Sequence, residues 1–442
     1  MTSVLTASLF STPSMDVAFG DDARLQAMLD AEAALARAQA GVGLIPAGAA
    51  PAIERACQAE LYDLAALGRA VARAANPAIP LVTALMEHVA RIDPDSAAWV
   101  HHGATSQDII DTGLVLQVRR AWTSLAADLD RVDAALVKQV QDRGHHVLAG
   151  RTLLQHALPT TFGLKAAGWL DSARRARRAV QAAIEDLPPQ LGGAAGTLAS
   201  MGGRGPAVLD GFAAELGLTA SPSWHARRER IALLGSVLAI LVGVLAKAAL
   251  DISLMMATET SEAFEVPADG GGGSSAMPHK RNPVAVTAVL AASRRAPGLA
   301  ATLMMSLPQA HERDVGGWHA EWEVVPDLFR LAGGAAARMA DVFEGLRIDA
   351  DRMAANLEMT RGLLFSEAAA VALTGALGRA QAHARVKAAA ARVVDEGITL
   401  RQALEANPGA AAALAGRWDE VFDLGRTVVS ASELERRLVG EP

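Results

Sequence analysis

Between Pro267 and Pro283 the chain reads PADGGGGSSAMPHKRNP, the densest collection in the sequence of groups able to do chemistry. Gly270 to Gly273 free the backbone to swing, Ser274 and Ser275 follow with hydroxyls, and Lys280, Arg281 and Asn282 crowd between Pro278 and Pro283. Hydroxyls and cations on such a segment suit a loop that closes over an anion. As bare pattern, a glycine run serves equally well as a linker.

Other blocks stand far away in the chain: His102-Gly103-Ala104-Thr105-Ser106-Gln107-Asp108, then Gly150-Arg151-Thr152 followed by Gln155. With SSAMPHKRNP, which is similar to the signature GSSxMPxKxNP, they resemble the fumarase/aspartase superfamily, whose members eliminate a group β to a carboxylate. The resemblance implies that Ser274 moves the proton α to a carboxylate, as base in elimination and as acid in the reverse direction. A free serine is far too weak a base, so a closed, dry site must favour its alkoxide through Lys280 and backbone N–H groups. The resemblance further implies that Thr105, Ser106, Thr152, Gln155, Lys280 and Asn282 bind substrate carboxylates and stabilise the developing aci-carboxylate, with His102, Arg151, Ser275, Met277 and Arg313 completing the substrate-binding set.

Departures from the family pattern narrow the chemistry. Many members carry histidine directly after Gly-Arg-Thr and a glutamate four residues beyond the loop's last proline, a pair that protonates the leaving group; here those positions are Leu153 and Thr287. An amine or hydroxide needs that proton at neutral pH, and a general acid contributes typically about 100- to 10,000-fold there. A carboxylate, whose conjugate acid has a pKa of ~4, departs unaided. That favours an enzyme which opens or closes a lactone. His311 to Trp322, HERDVGGWHAEW, resembles the corresponding segment of the superfamily's lactone-forming cycloisomerases, although adenylosuccinate lyases share the HERD part.

The resemblance thus implies cofactor-free cyclisation of a tricarboxylate, 3-carboxy-cis,cis-muconate, to 4-carboxymuconolactone in protocatechuate degradation. Arg151, Lys280, Arg281, Arg313, His102 and His311 are the groups available to three negative charges, with Arg281 and His311 equally suited to interhelical pairs. One alternative is adenylosuccinate lyase or a related amine-eliminating lyase, in which His102 or His311 replaces the missing acid. Another is a non-catalytic, crystallin-like relative, against which the intact Ser274, Lys280 and Asn282 argue.

Composition sets the frame for these blocks. Of 442 residues, 51% are hydrophobic and 20% charged, which excludes a disordered chain. Aromatics make up only 4%, and Ala and Leu dominate without the alternating β-branched runs of a sandwich or barrel, so the class expected is all-α. A net charge of −7 gives no general attraction for nucleic acid or an anionic membrane. Cys57 is the single cysteine, which excludes an intrachain disulfide framework and suits a cytoplasmic protein; no HxxxH or HExxH pattern suggests a metal. The first ten residues lack the basic and apolar regions of a secretory signal. Ile231 to Ala246 is uncharged but falls short of the roughly twenty residues that cross a bilayer, and predicts a helix buried on all sides.

Long helices must position the blocks. Leu114, Val118, Trp122, Leu125, Leu129, Val132, Leu136 and Val140 predict one amphipathic helix after Gly113. Others are expected from Pro159 to Leu187, Ser223 to Glu265, Val284 to Leu303 and Trp318 to Leu346. Such helices bury themselves only side by side, so we expect a helical cap at 1–110, a central bundle at 111–355 completed by other subunits, and a second cap at 356–442. In the superfamily the assembly is a homotetramer whose active sites are shared between subunits.

Overall fold

The computed structural model describes residues 4–266, 277 and 280–440. It is 73% helix and 4% strand, so the all-α expectation is met. The longest helices are α1 (Ser106–Arg143), α2 (Phe162–Glu185), α3 (Glu229–Met255), α4 (Val284–Met305) and α5 (Gly317–Gly345). A hairpin of β1 (Val147–Thr152) and β2 (Gln155–Thr161) separates α1 from α2, and Ala263–Phe264 pairs with Arg347–Ile348.

The chain divides into two compact units. One comprises Met1–Leu129, Ala176–Gly243 and Ala291–Ala337, the other Asp130–Arg175, Val244–Leu290 and Arg338–Pro442. The first has a core built on the helix Asp21–Gly41, in which Leu29, Leu35, Ile53, Leu81, Leu85 and Phe212 are buried. The second packs Leu364, Leu373, Val386, Leu400 and Leu404 around a run of alanines that includes Ala149 of β1. Small side chains let these short helices approach closely.

The apolar stripe predicted for α1 is buried at every position but Trp122, which is half-buried. Its helix begins earlier than expected, at Ser106, where the Asp108 side chain reaches back and its Oδ2 accepts from the Thr105 N–H at 3.0 Å, one half of a capping box. Gly113 lies inside the helix, where a Cβ would come within 3.1 Å of the Met28 side chain. Pro159 does not start α2. It lies in β2 opposite Ala149, on a hairpin whose register shifts between Ala149 and Arg151. The third helix is shorter than the expected Ser223 to Glu265, since the Trp224 N–H is taken by Gln190 Oε1 and the chain turns after Met255.

Helix α3 also departs from the expectation of burial on all sides. Its 18-residue apolar window is long enough to cross a membrane and is 61% buried inside the protein, the mark of a core helix. Yet Leu233, Ile240, Leu250 and Leu254 are 51%, 56%, 46% and 46% exposed. Leu233, Ile240 and Leu254 lie seven and fourteen residues apart, so they share one face, which also carries Lys247 between the last two.

Candidate active site

In the first unit the block His102 to Asp108 forms the entry to α1. His101 and Gly103 both have left-handed backbones, φ 56° and 70°, and a side chain at Gly103 would meet Met201. The His102 carbonyl accepts from Gln39 Nε2 at 2.6 Å, and its ring stands edge-on to Trp99. Thr105 immediately precedes the helix and Ser106 opens it, at the end where the helix dipole favours negative charge.

Asp108 holds this entry in place. Its Oδ1 accepts from the Gly192 N–H (2.9 Å) and lies 2.8 Å from His225 Nε2; its Oδ2 accepts from Gly193 (2.9 Å) and Thr105 (3.0 Å). Both Asp108 and His225 are buried. One turn further on a parallel rung repeats the arrangement: Arg228 donates to Asp111 at 2.7 and 3.1 Å and also to Glu321, beneath the indole of Trp224, while Trp318 Nε1 donates to Asp111. Burial pushes the Glu321 carboxyl up while Arg228 pulls it down. Thus Trp318 and Glu321 of the WHAEW segment serve this buried network. Arg313 joins it through Gln107 Oε1 (3.0 Å), on the residue next to Ser106, and the Ala194 carbonyl (3.2 Å).

In the second unit the hairpin presents the next block. Thr152 and Gln155 face each other across its end, and Leu153 and Leu154 form a two-residue turn with φ of 51° and 65°. Both leucines project outward, Leu153 at 96% exposure. Bulky side chains rarely take this backbone. Arg151 is not open to an anion on both prongs: Glu262, fully buried, grips the guanidinium at 2.7 and 2.9 Å and is itself held by Asn356.

Ser274 and Ser275 lie outside the described residues. Met277, Lys280 and Asn282 are described: the Lys280 N–H donates to the Met277 carbonyl at 3.0 Å, Lys280 is exposed and Asn282 half-buried. The start of α4, just past the loop, is anchored by a residue ahead of it. Glu265 Oε1 accepts from Ala285 N–H (3.0 Å) and Oε2 from Val286 N–H (3.2 Å), a buried carboxylate on a helix N-terminus. Thr287, where relatives place the relay glutamate, spends its hydroxyl on the Pro283 carbonyl.

Sequence reasoning missed Glu262, Glu265, Asp111, His225 and Arg228. Asp108 stood inside a quoted block, but apart from Thr105 its partners, Gln190, Gly192, Gly193 and His225, come from segments remote in sequence. For Glu265 the signal was present: an acidic residue, a glycine-rich loop and a helix start after Pro283.

An all-α chain that places hydroxyl and cation blocks at helix entries and on a hairpin, with a serine-bearing, glycine-rich stretch of sequence ahead of a capped helix, is built as an elimination or addition enzyme acting on carboxylates. The chain belongs to the lyase family of the fumarase/aspartase superfamily: the family model described as lyase matches residues 10–298, and one described as adenylosuccinate lyase C-terminus matches residues 362–438. It is 47% identical to 3-carboxy-cis,cis-muconate cycloisomerase of Pseudomonas aeruginosa, over 98% of this chain and 95% of that protein. It is 44% identical to nitrosuccinate lyase of Streptomyces davaonensis, over 97% and 92%. The crystal structure of 3-carboxy-cis,cis-muconate lactonizing enzyme from Pseudomonas putida superposes with a TM-score of 0.93 at 44% identity, covering 99% of both chains.

Proposed function

We propose that the protein closes 3-carboxy-cis,cis-muconate to 4-carboxymuconolactone. A substrate carboxylate adds to the conjugated double bond, the electrons collect on a neighbouring carboxylate as the aci form, and Ser274 delivers the proton to carbon. The observation that carries this reading is Leu153, an aliphatic side chain standing out from the hairpin where an amine- or hydroxide-eliminating relative needs an acid. A lactone carboxylate leaves and returns as the anion, so no acid is required of position 153. The likeness to the Pseudomonas enzymes supports it over nearly the whole chain.

Purified protein should bleach the ultraviolet diene band of the muconate, and Ser274→Ala should lower kcat by about 100-fold or more. A second reading is favoured by the likeness to nitrosuccinate lyase, because nitrite also departs comfortably as an anion. Nitrite release from nitrosuccinate without loss of the muconate diene would select it. Fumarate release from adenylosuccinate would select the amine-eliminating alternative. Silence toward all three substrates would point to a non-catalytic relative.

In this reading the enzyme is a cytoplasmic homotetramer, with caps at 1–110 and 356–442, a bundle at 111–355, and pockets shared between copies. The exposed leucine and isoleucine face of α3 supports association, since such a stripe buries itself only against another helix.

A further inference from the structure

A cavity of about 620 Å³ in the second unit is lined by Arg151 and Thr152 of the hairpin, Lys165 and Trp169 of α2, and Lys247 and Asp251 of α3. A neighbouring cavity of about 470 Å³ shares Arg151, Lys165, Lys247 and Asp251 with it, so these charges line both. Two of the three cations are already neutralised. Arg151 is gripped by Glu262, and Lys247 lies on Asp251, whose carboxylate also accepts from Trp169 Nε1 at 2.9 Å.

Lys165 differs. Among the described residues it has no hydrogen-bonded or ion-paired partner. Burial pushes its ammonium below the ordinary lysine range; Asp251 pulls it back, and Lys247 and Arg151 repel it. Asp251 is thus shared between Lys165 and Lys247, and a half-buried ammonium with no direct partner of its own is destabilising until an anion reaches it. The cavity is of the size that encloses a small molecule, and it shares its wall with the hydroxyl of Thr152.

We propose that Lys165 is a further substrate-binding residue, which takes the additional carboxylate that distinguishes a tricarboxylate from a dicarboxylate. The assignment rests on the cycloisomerase reading for the identity of the ligand, and on the cavity for its place. The neutral donors Thr152, Gln155 and Asn282 can hydrogen-bond a carboxylate but do not balance its charge. Arg151 is compensated by Glu262, which leaves Lys165 as the uncompensated cation among those lining this cavity. A lysine acts there as a point charge on a long stem, suited to a carboxylate whose position shifts as the lactone ring closes.

The test compares wild type, Lys165→Met and Lys165→Arg on 3-carboxy-cis,cis-muconate and on cis,cis-muconate, which lacks the extra carboxylate. Expected is a rise of about tenfold or more in KM for the tricarboxylate in Lys165→Met, with kcat nearly kept, no such rise for the dicarboxylate, and partial rescue in Lys165→Arg. Calorimetry with tricarballylate, a saturated tricarboxylate, tests the site without turnover: wild type should bind it and Lys165→Met should not. If wild type turns over neither muconate but this binding difference holds, the cycloisomerase reading fails and the carboxylate site stands. Failure of wild type to bind tricarballylate, equal binding by wild type and Lys165→Met, or an equal KM penalty on both muconates overturns the proposal. Loss of the oligomer in Lys165→Met, seen by sedimentation, also overturns it, since the lysine's counter-charge would then be a carboxylate of a second copy.

Discussion

At the scale of single residues, the proposed chemistry turns on what stands at position 153. Leu153 projects from the hairpin with no proton to give, and Thr287 is occupied with the backbone of its own helix start. If the departing or attacking group is stable as an anion, restoring an imidazole gains nothing. Leu153→His should therefore leave the kcat of lactone formation no higher than wild type and add no new limb to its pH profile, measured by diene absorbance. A tenfold gain would contradict the leaving-group argument. Ser274 and Lys280 were legible as a pair because motif and chemistry coincide in one loop. Lys165 was not legible, because a lone lysine on a helix says nothing until the cavity around it is seen.

At the scale of elements, the candidate site residues are held by buried carboxylates. Asp108 gathers donors from the α1 entry, from Gly192 and Gly193, and from His225, so one side chain fixes where Thr105 and Ser106 stand. Asp108→Asn turns an amide toward N–H groups and leaves His225 without its carboxylate; the expected destabilisation is about 3 kcal/mol by denaturant melts, with a raised KM. The same entry carries a titrating pair. His101 Nδ1 lies 2.6 Å from the buried Glu32 carboxylate. Burial alone would lower the imidazole's pKa, but the charge and hydrogen bond of Glu32, helped by Asp108, raise it overall. A raised folded value means the stabilisation is fully present below the ordinary histidine value of about 6.5 and is lost as pH climbs through the folded one. Stability should thus fall across that window more steeply in wild type than in His101→Asn, whose side chain tolerates the left-handed backbone without titrating. The long helices could be read from apolar spacing alone, as α1 shows. The hairpin could not, because Pro159 imitates a helix start and the pairing that defines β1 and β2 lies in backbone hydrogen bonds.

At the scale of the whole molecule, the apolar residues of α3 divide between a buried side and an exposed one, a division hidden in the sequence because leucine and isoleucine fill both. If the exposed side joins copies of the chain in the proposed tetramer, Ile240→Glu should shift the mass seen in sedimentation toward smaller species and lower activity with it, while helix content by circular dichroism is kept. An unchanged mass would remove α3 from the contact. The turn at Leu153 and Leu154 bears on the order in which such a molecule assembles. Each leucine sits in a backbone region unfavourable by roughly 1–2 kcal/mol, so this turn cannot nucleate its own strands. Strands β1 and β2 are instead supported by the helices Ala350–Glu358 and Leu424–Val439, which pack against them from the far end of the chain. A chain truncated before Ala350 would lack both helices that pack on this hairpin and should show the strands unformed by hydrogen exchange.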